Sequence, residues 1–105
     1  MEKKELGVKY DGDKLDWTLL PFESLEDVVR VLMFGAEKYS IDNWKYVKPK
    51  SRYLKAVFRH LISYASGERN DSESGYSHLT HCICCLLFLI WHDKNEKEVI
   101  LNDED

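Results

Sequence analysis

Ten consecutive residues, CICCLLFLIW from Cys82 to Trp91, carry no charged or amide side chain. Helical periodicity upstream predicts a helix from about Tyr76 to Asp93, apolar on every side in its second half. Such a helix has to be covered all round. The run is far too short to span a membrane, which takes about 20 apolar residues. The only cover is therefore other helices, and the chain supplies few of them. The expected fold is an all-α small helical bundle completed by oligomerisation, a homodimer or homotetramer.

The rest of the chain fits that plan. "SLEDVVRVLMFGAEKY" places Leu25, Val28, Val29, Leu32 and Ala36 on one helical face, predicting helix one over about Leu25–Tyr39. Ser24 with Asp27 three residues on approximates a capping box. Gly35 interrupts this helix and suggests a close backbone approach. A second helix is expected to open at a Ser51 cap, to bury Leu54, Val57, Phe58, Leu61, Ile62 and Ala65, and to end at Gly67. Residues 1–23 read as an ordered N-terminal arm, because Leu15, Trp17, Leu19, Leu20 and Phe22 need somewhere to pack. Residues 94–105 form a charged tail in which Val99, Ile100 and Leu101 are able to dock. The 105 residues suit a single domain, with no internal repeats.

Charge excludes some functions. The formal net charge is -4, and 32% of residues are charged. That excess of acid argues against a partner that is a nucleic-acid polymer, which selects a basic surface. A small nucleotide remains open as a ligand. "MEKKELGVKY" lacks the apolar core of a signal peptide. Cys82, Cys84 and Cys85 are crowded and odd in number, so they read as reduced, buried thiols in a cytoplasmic protein.

The residues rich in chemistry lie between helices two and three, in "GERNDSESGYSHLTH". Glu68, Asp71 and Glu73 are hard oxygen donors, suited to Mg2+ or Mn2+. His78 and His81 are three apart and share a helix face. A solvated loop with capping acids is the competing reading. His78, His81 and Cys85 also fall on one stripe, but their spacing matches no standard zinc module. On helix two, Arg59 next to His60 suits a phosphate. At the end of helix one, Lys38 and Tyr39 precede "DNW", where Asn43 and Trp44 suit a ribose or base, or a core-anchoring Trp in a turn. In the arm, Lys14 and Asp16 flank Leu15 beside Trp17, a cation for phosphate and an acid for metal. The loop is expected to fold back after Gly67 and bring His78 beside the second half of helix two.

Taken together, "KLDWTLLP", "FGAEKYSIDNW" and "GERNDSESGYSHLTH" followed by an apolar helix resemble the phage dATP/dGTP diphosphohydrolase N-terminal family, relatives of the MazG-like all-α nucleotide pyrophosphohydrolases. The resemblance covers about Lys14 to Trp91. It implies a helical dimer or tetramer in the host cytoplasm, holding Mg2+ or Mn2+ with acids on two facing helices. It implies attack of water between the α- and β-phosphates of a (d)NTP, giving a nucleoside monophosphate and pyrophosphate. The chain departs from the MazG pattern in two places. Arg30 stands where the later first-helix acid belongs in "EDVVR". His78 and His81 stand where the later helix would carry its acid pair.

The resulting expectation is a metal-dependent nucleotide pyrophosphohydrolase. Glu68, Asp71 and His78 are its catalytic and metal-holding groups, with Glu37 as a further metal ligand. Lys14, Asp16, Lys38, Tyr39, Asn43, Trp44, Arg59 and His60 are its nucleotide contacts. The alternative is a phage protein that binds a host defence nucleotide without turning it over.

Overall fold

A computed structural model describes residues 3–96. These residues are all-helical, with one isolated antiparallel bridge, Asn70 to Ser77, and no strand. The principal helices are α1 (Phe22–Lys38), α2 (Ser51–Ala65) and α3 (His78–Asn95). Short 3-10 turns lie at Trp17–Leu19 and Asn43–Tyr46. No described helix is long and apolar enough to cross a membrane.

The helix ends follow local chemistry, not always as expected. α1 begins three residues earlier than its apolar periodicity suggests, because Pro21 precedes it; the Ser24 and Leu25 N–H groups both bond to the Pro21 carbonyl. Pro at a helix start leaves no donor unsatisfied, so Ser24 lies inside the helix and caps nothing. Ser51 likewise is the first residue of α2, after an uncapped Lys50. The end of α2 is a full Schellman turn. Gly67 N–H bonds to the Tyr64 carbonyl and Glu68 N–H to the Ser63 carbonyl, each at 3.0 Å, with Gly67 at φ +103°. α3 starts at His78, two residues later than expected, where the Ser77 hydroxyl accepts the Leu79 N–H at 3.1 Å.

α3 is the centre. It packs against α2 most extensively, against α1 less so, and against the 3-10 turn at Asn43–Tyr46. α2 and α3 run antiparallel; Lys50 at the start of α2 reaches Asp93 and Glu96 at the end of α3, at 2.7 and 2.8 Å. The cysteines make the crossings. Cys84 packs with Val28 and Val31 of α1, and Cys82 and Cys85 pack with Val57 of α2. Their small side chains allow close approach, and two thiols donate to carbonyls of the facing helices, Cys82 to Val57 and Cys84 to Val28. Burial pushes the Cys84 thiol up to about 12 and Cys85 up to about 11, so both stay protonated.

Burial leaves one face of α3 open, as the scarcity of helices implies, and corrects the expectation for the arm. α3 is not covered on all sides within one chain. Leu79, Ile83, Leu86 and Ile90, spaced 4, 3 and 4 apart, are 38–52% exposed along one line. Two flanking helices cover only two sides of a third. The arm does not pack either: Trp17 is 65% and Leu19 81% exposed. Its order is local, a 3-10 turn capped by Asp16, whose carboxylate accepts the Thr18 N–H at 3.1 Å. The radius of gyration, 19.9 Å, accordingly exceeds the roughly 13 Å of a compact 100-residue domain. Of the charged tail, Lys94 and Asn95 continue α3, while residues 97–105, with the Val99-Ile100-Leu101 segment, lie outside the described residues.

Candidate functional site

The loop from Ser66 to Ser77 is built by its own backbone before it presents any side chain. Asp71 N–H bonds to the Tyr76 carbonyl at 2.8 Å, and His78 N–H to the Arg69 carbonyl at 2.9 Å. The Asp71 carboxylate closes the turn by accepting the N–H groups of Glu73 and Ser74 at 3.1 and 2.9 Å, which is why Asp is placed there. Gly75 takes φ +80° to complete it. Lys38 at the end of α1 clamps the outside through Glu73, at 2.7 Å.

This scaffold gathers three histidines. His60 of α2 and His78 of α3 face each other with Nδ1 atoms 2.7 Å apart. His78 is 4% exposed, and its Nε2 lies 2.7 Å from Glu68 Oε1. His81 stacks flat on His60, ring centres 4.7 Å apart and planes 12° apart. Its Nε2 is 2.6 Å from the Ser74 hydroxyl and 3.9 Å from Asp71. The Ser–His–Asp grouping is not a hydrolase triad, because Asp71 approaches the same ring nitrogen as Ser74 and does not orient the other.

The electrostatics favour neutral imidazoles facing a carboxylate. Burial first, then His81 and His78, hold His60 below its ordinary pKa. Burial also lowers His81, against the pull of Asp71. For Asp71, burial acts upward, but the Ser74 N–H, His81, the Ser74 side chain and His60 together outweigh it and hold the carboxyl below its usual range.

His60, His81 and Asp71 form one end of an open groove of about 1150 Å³. α1 from Val31 to Ala36, with Lys38, makes one wall and Arg52, Ala56 and Arg59 of α2 the other. Cys84, Cys85 and Phe88 make the floor. The far end is aromatic. Trp44 stacks on Phe88 with ring centres 4.5 Å apart and meets Trp91 edge-on, while its carbonyl takes His92 Nε2 at 3.0 Å. The groove is thus polar and imidazole-rich at one end, aromatic at the other, with arginines between.

Most of the residues singled out in the sequence converge here. Lys38, Tyr39, Asn43, Trp44, Arg59, His60 and Asp71 all line the groove. Glu68 and His78 sit behind His60, joined to it through the Nδ1 contact. Three residues stand apart. Lys14 and Asp16 are on the exposed arm, where Asp16 is spent on the Trp17–Leu19 turn. Glu37 is exposed on α1 and is not among the groove's lining residues. The first-helix acids Glu26 and Asp27 pair with Arg30 on the surface. Two qualifications matter: Lys38 is already paired with Glu73, and Trp44 is a core anchor as well as a groove residue. Among the described residues, Arg52 and Arg59 take part in no ion pair. Sequence reasoning put His81 and Ser74 in the pocket-forming loop but assigned no role to either, nor to Arg52. The i,i+7 alignment of Arg52 with Arg59 was the available signal for one of them; nothing local in the sequence announces the stacking of His81 on His60.

The donor set is a poor match to Mg2+. That ion wants six oxygens in near-ideal octahedral geometry. Here the close group is His60, Asp71 and His78, with ligand atoms all within 4.8 Å of one another, and the nearby carboxylates are already hydrogen-bonded.

The sequence pattern of the dATP/dGTP diphosphohydrolase N-terminal family matches residues 4–102. The dATP/dGTP diphosphohydrolase of Salmonella phage PMBT28 is 35% identical over 85 residues, covering 81% of this chain and 29% of that relative. The chain therefore spans less than a third of the relative's length. No solved structure matches significantly. Because the family pattern spans nearly the whole chain, including every residue of the groove, the chain belongs to the dATP/dGTP diphosphohydrolase N-terminal family.

Proposed function

We propose that the groove binds a purine deoxynucleoside triphosphate and hydrolyses it between the α- and β-phosphates, giving a nucleoside monophosphate and pyrophosphate. The observation that carries this reading is the groove's polarity: Arg52 and Arg59, in no ion pair among the described residues, between an imidazole–carboxylate end and an aromatic end. Arginine matches phosphate oxygens with a planar fork of donors. In this reading the phosphates lie along Arg59 and Arg52, and the base lies toward Tyr53 and Trp44. His81 is the base: burial keeps its ring neutral, as a proton acceptor near pH 7 must be. Once the Ser74 hydroxyl turns away, His81 Nε2 takes a proton from water, whose oxygen forms a bond to the α-phosphorus as the bond to the bridging oxygen breaks. The pyrophosphate leaves with its charge against Arg59.

The seam of Leu79, Ile83, Leu86 and Ile90 serves self-association in the same proposal, since this 4-3-4 spacing is that of helices that pair along a stripe. A homodimer or larger assembly would cover it.

A second reading is favoured by one specific observation. Each carboxylate near the histidines is already engaged: Asp71 by two N–H groups, Glu73 by Lys38 and Glu68 by His78. A site of this kind holds a nucleotide without turning it over, as in sequestering a defence signal. Incubation with dATP and dGTP, each with Mg2+, Mn2+, Co2+ or chelator, separates the two. Pyrophosphate release supports hydrolysis. Recovery of intact nucleotide bound to the protein supports sequestration, and neither outcome would reject the groove as a nucleotide site.

A further inference from the structure

We infer that His60, Asp71 and His78 hold a single transition-metal ion of the imidazole-binding class, Co2+, Fe2+, Ni2+ or Zn2+, with Glu68 as the group that orients His78. The inference starts from tautomers. A carboxylate only accepts hydrogen bonds, so the 2.7 Å contact of His78 Nε2 with Glu68 requires the proton on Nε2. With Nε2 as the donor, a neutral ring would direct its Nδ1 lone pair at His60 Nδ1, 2.7 Å away. A histidine donating one ring N–H to a carboxylate while its other nitrogen faces inward is the usual arrangement of a metal-ligating imidazole.

The third ligand is in place. Asp71 completes a set whose ligand atoms all lie within 4.8 Å. At metal–donor distances of about 2.0–2.1 Å, donors around one ion sit roughly 3–3.5 Å apart, so Asp71 has to close by about 1–2 Å while the two imidazoles spread slightly. Two histidines and one carboxylate leave coordination positions open, as sites that do chemistry require. His60 and Asp71 line the groove, so an ion there has a way in and stands where the triphosphate end of a nucleotide would lie. The ligands come from two separated segments, α2 and the loop leading into α3. The thiols do not compete: Cys82 and Cys84 donate to helix carbonyls inside the core.

The site deepens the hydrolase reading without resting on turnover, and its test reads binding alone. The full chain is titrated with Co2+ and followed by visible d–d absorption, with Mg2+ binding measured by calorimetry. The inference expects one Co2+ per chain, with Mg2+ at least a hundredfold weaker. His60→Ala and His78→Ala should abolish the absorption, with folding checked by circular dichroism. Glu68 has an exposed side chain, so Glu68→Gln should leave the fold intact and weaken Co2+ ten- to a hundredfold; it decides the matter if a histidine variant does not fold. Cys82→Ala/Cys85→Ala should bind like the parent. No Co2+ binding by the parent, equal Mg2+ and Co2+ affinity, unchanged binding in Glu68→Gln, or loss in the cysteine variant would each overturn it.

Discussion

Two segments of mixed composition flank the helices and end up very differently. The loop from Ser66 to Ser77 is tied at every step: a Schellman turn, a bridge, an Asp-closed turn and a clamp from Lys38. The arm from Lys3 to Pro21 is the more apolar of the two, yet its Trp17 and Leu19 touch little. Apolar content does not by itself order a segment. The loop is short, starts and ends on antiparallel helices that already pack, and has a buried anchor in His78. The arm's side chains find no covering surface among the described residues.

The largest expected effect comes from the surface that the arm and α3 share the lack of cover for. Ile83→Asp on the exposed α3 seam should dissolve the assembly, since an unpaired charge at a covered apolar interface costs several kcal/mol. Sedimentation at micromolar concentration checks it. A parent that is already a well-behaved monomer, or an Ile83→Asp protein that sediments like the parent, would remove self-association as the explanation for this seam.

Glycines compare the two segments directly. Gly67 and Gly7 both have positive φ, +103° and +79°. Gly67→Ala should cost about 1–2 kcal/mol, because the loop's bonds hold it in a conformation that L-residues resist. Gly7→Ala should leave the melting curve in place, since a freer segment relaxes around it. Equal effects would mean the arm is held as firmly as the loop.

Acidification should loosen the loop before anything else. His60 and His81 lie below the ordinary 6.5, so the unfolded chain binds protons first and stability falls as pH drops below about 6.5. Asp71 also lies below its ordinary 3.8; its contribution is present above that pH and is lost as pH falls further. Thermal melts between pH 7.5 and 5 should show the first loss, and His60→Gln/His81→Gln should flatten it. The smallest effect belongs to the arm. Leu19→Ser should change chain stability by less than about 0.5 kcal/mol, and a larger loss in the assembled protein would locate a partner surface on the arm.

How much of this was legible follows the same division. Three helices, the Gly67 stop and the return of His78 to α2 are local or nearly local, and periodicity and a positive-φ glycine announce them. The groove's membership was largely readable because Arg59, His60 and Asp71 flank one turn. Where sequence reasoning failed, the cause was tertiary. Pro21 took the cap from Ser24, and the arm's apolar residues stay exposed among the described residues. The His81–His60 stack depends on the rotation of α3 against α2, which no spacing within either helix encodes.

The central claim is that the loop and the helix ends build one nucleotide-binding groove, with Arg59 on the phosphates. Arg59 is exposed and makes no ion pair among the described residues, so Arg59→Ala tests the ligand contact with little burden on the fold. Equilibrium binding of dGTP to the parent and to Arg59→Ala is the direct measurement. Loss of charge-assisted hydrogen bonds worth about 1.5–3 kcal/mol predicts affinity weaker by roughly ten- to a hundredfold, with an unchanged melting temperature. Equal affinity in the two proteins would contradict the account and place the nucleotide elsewhere.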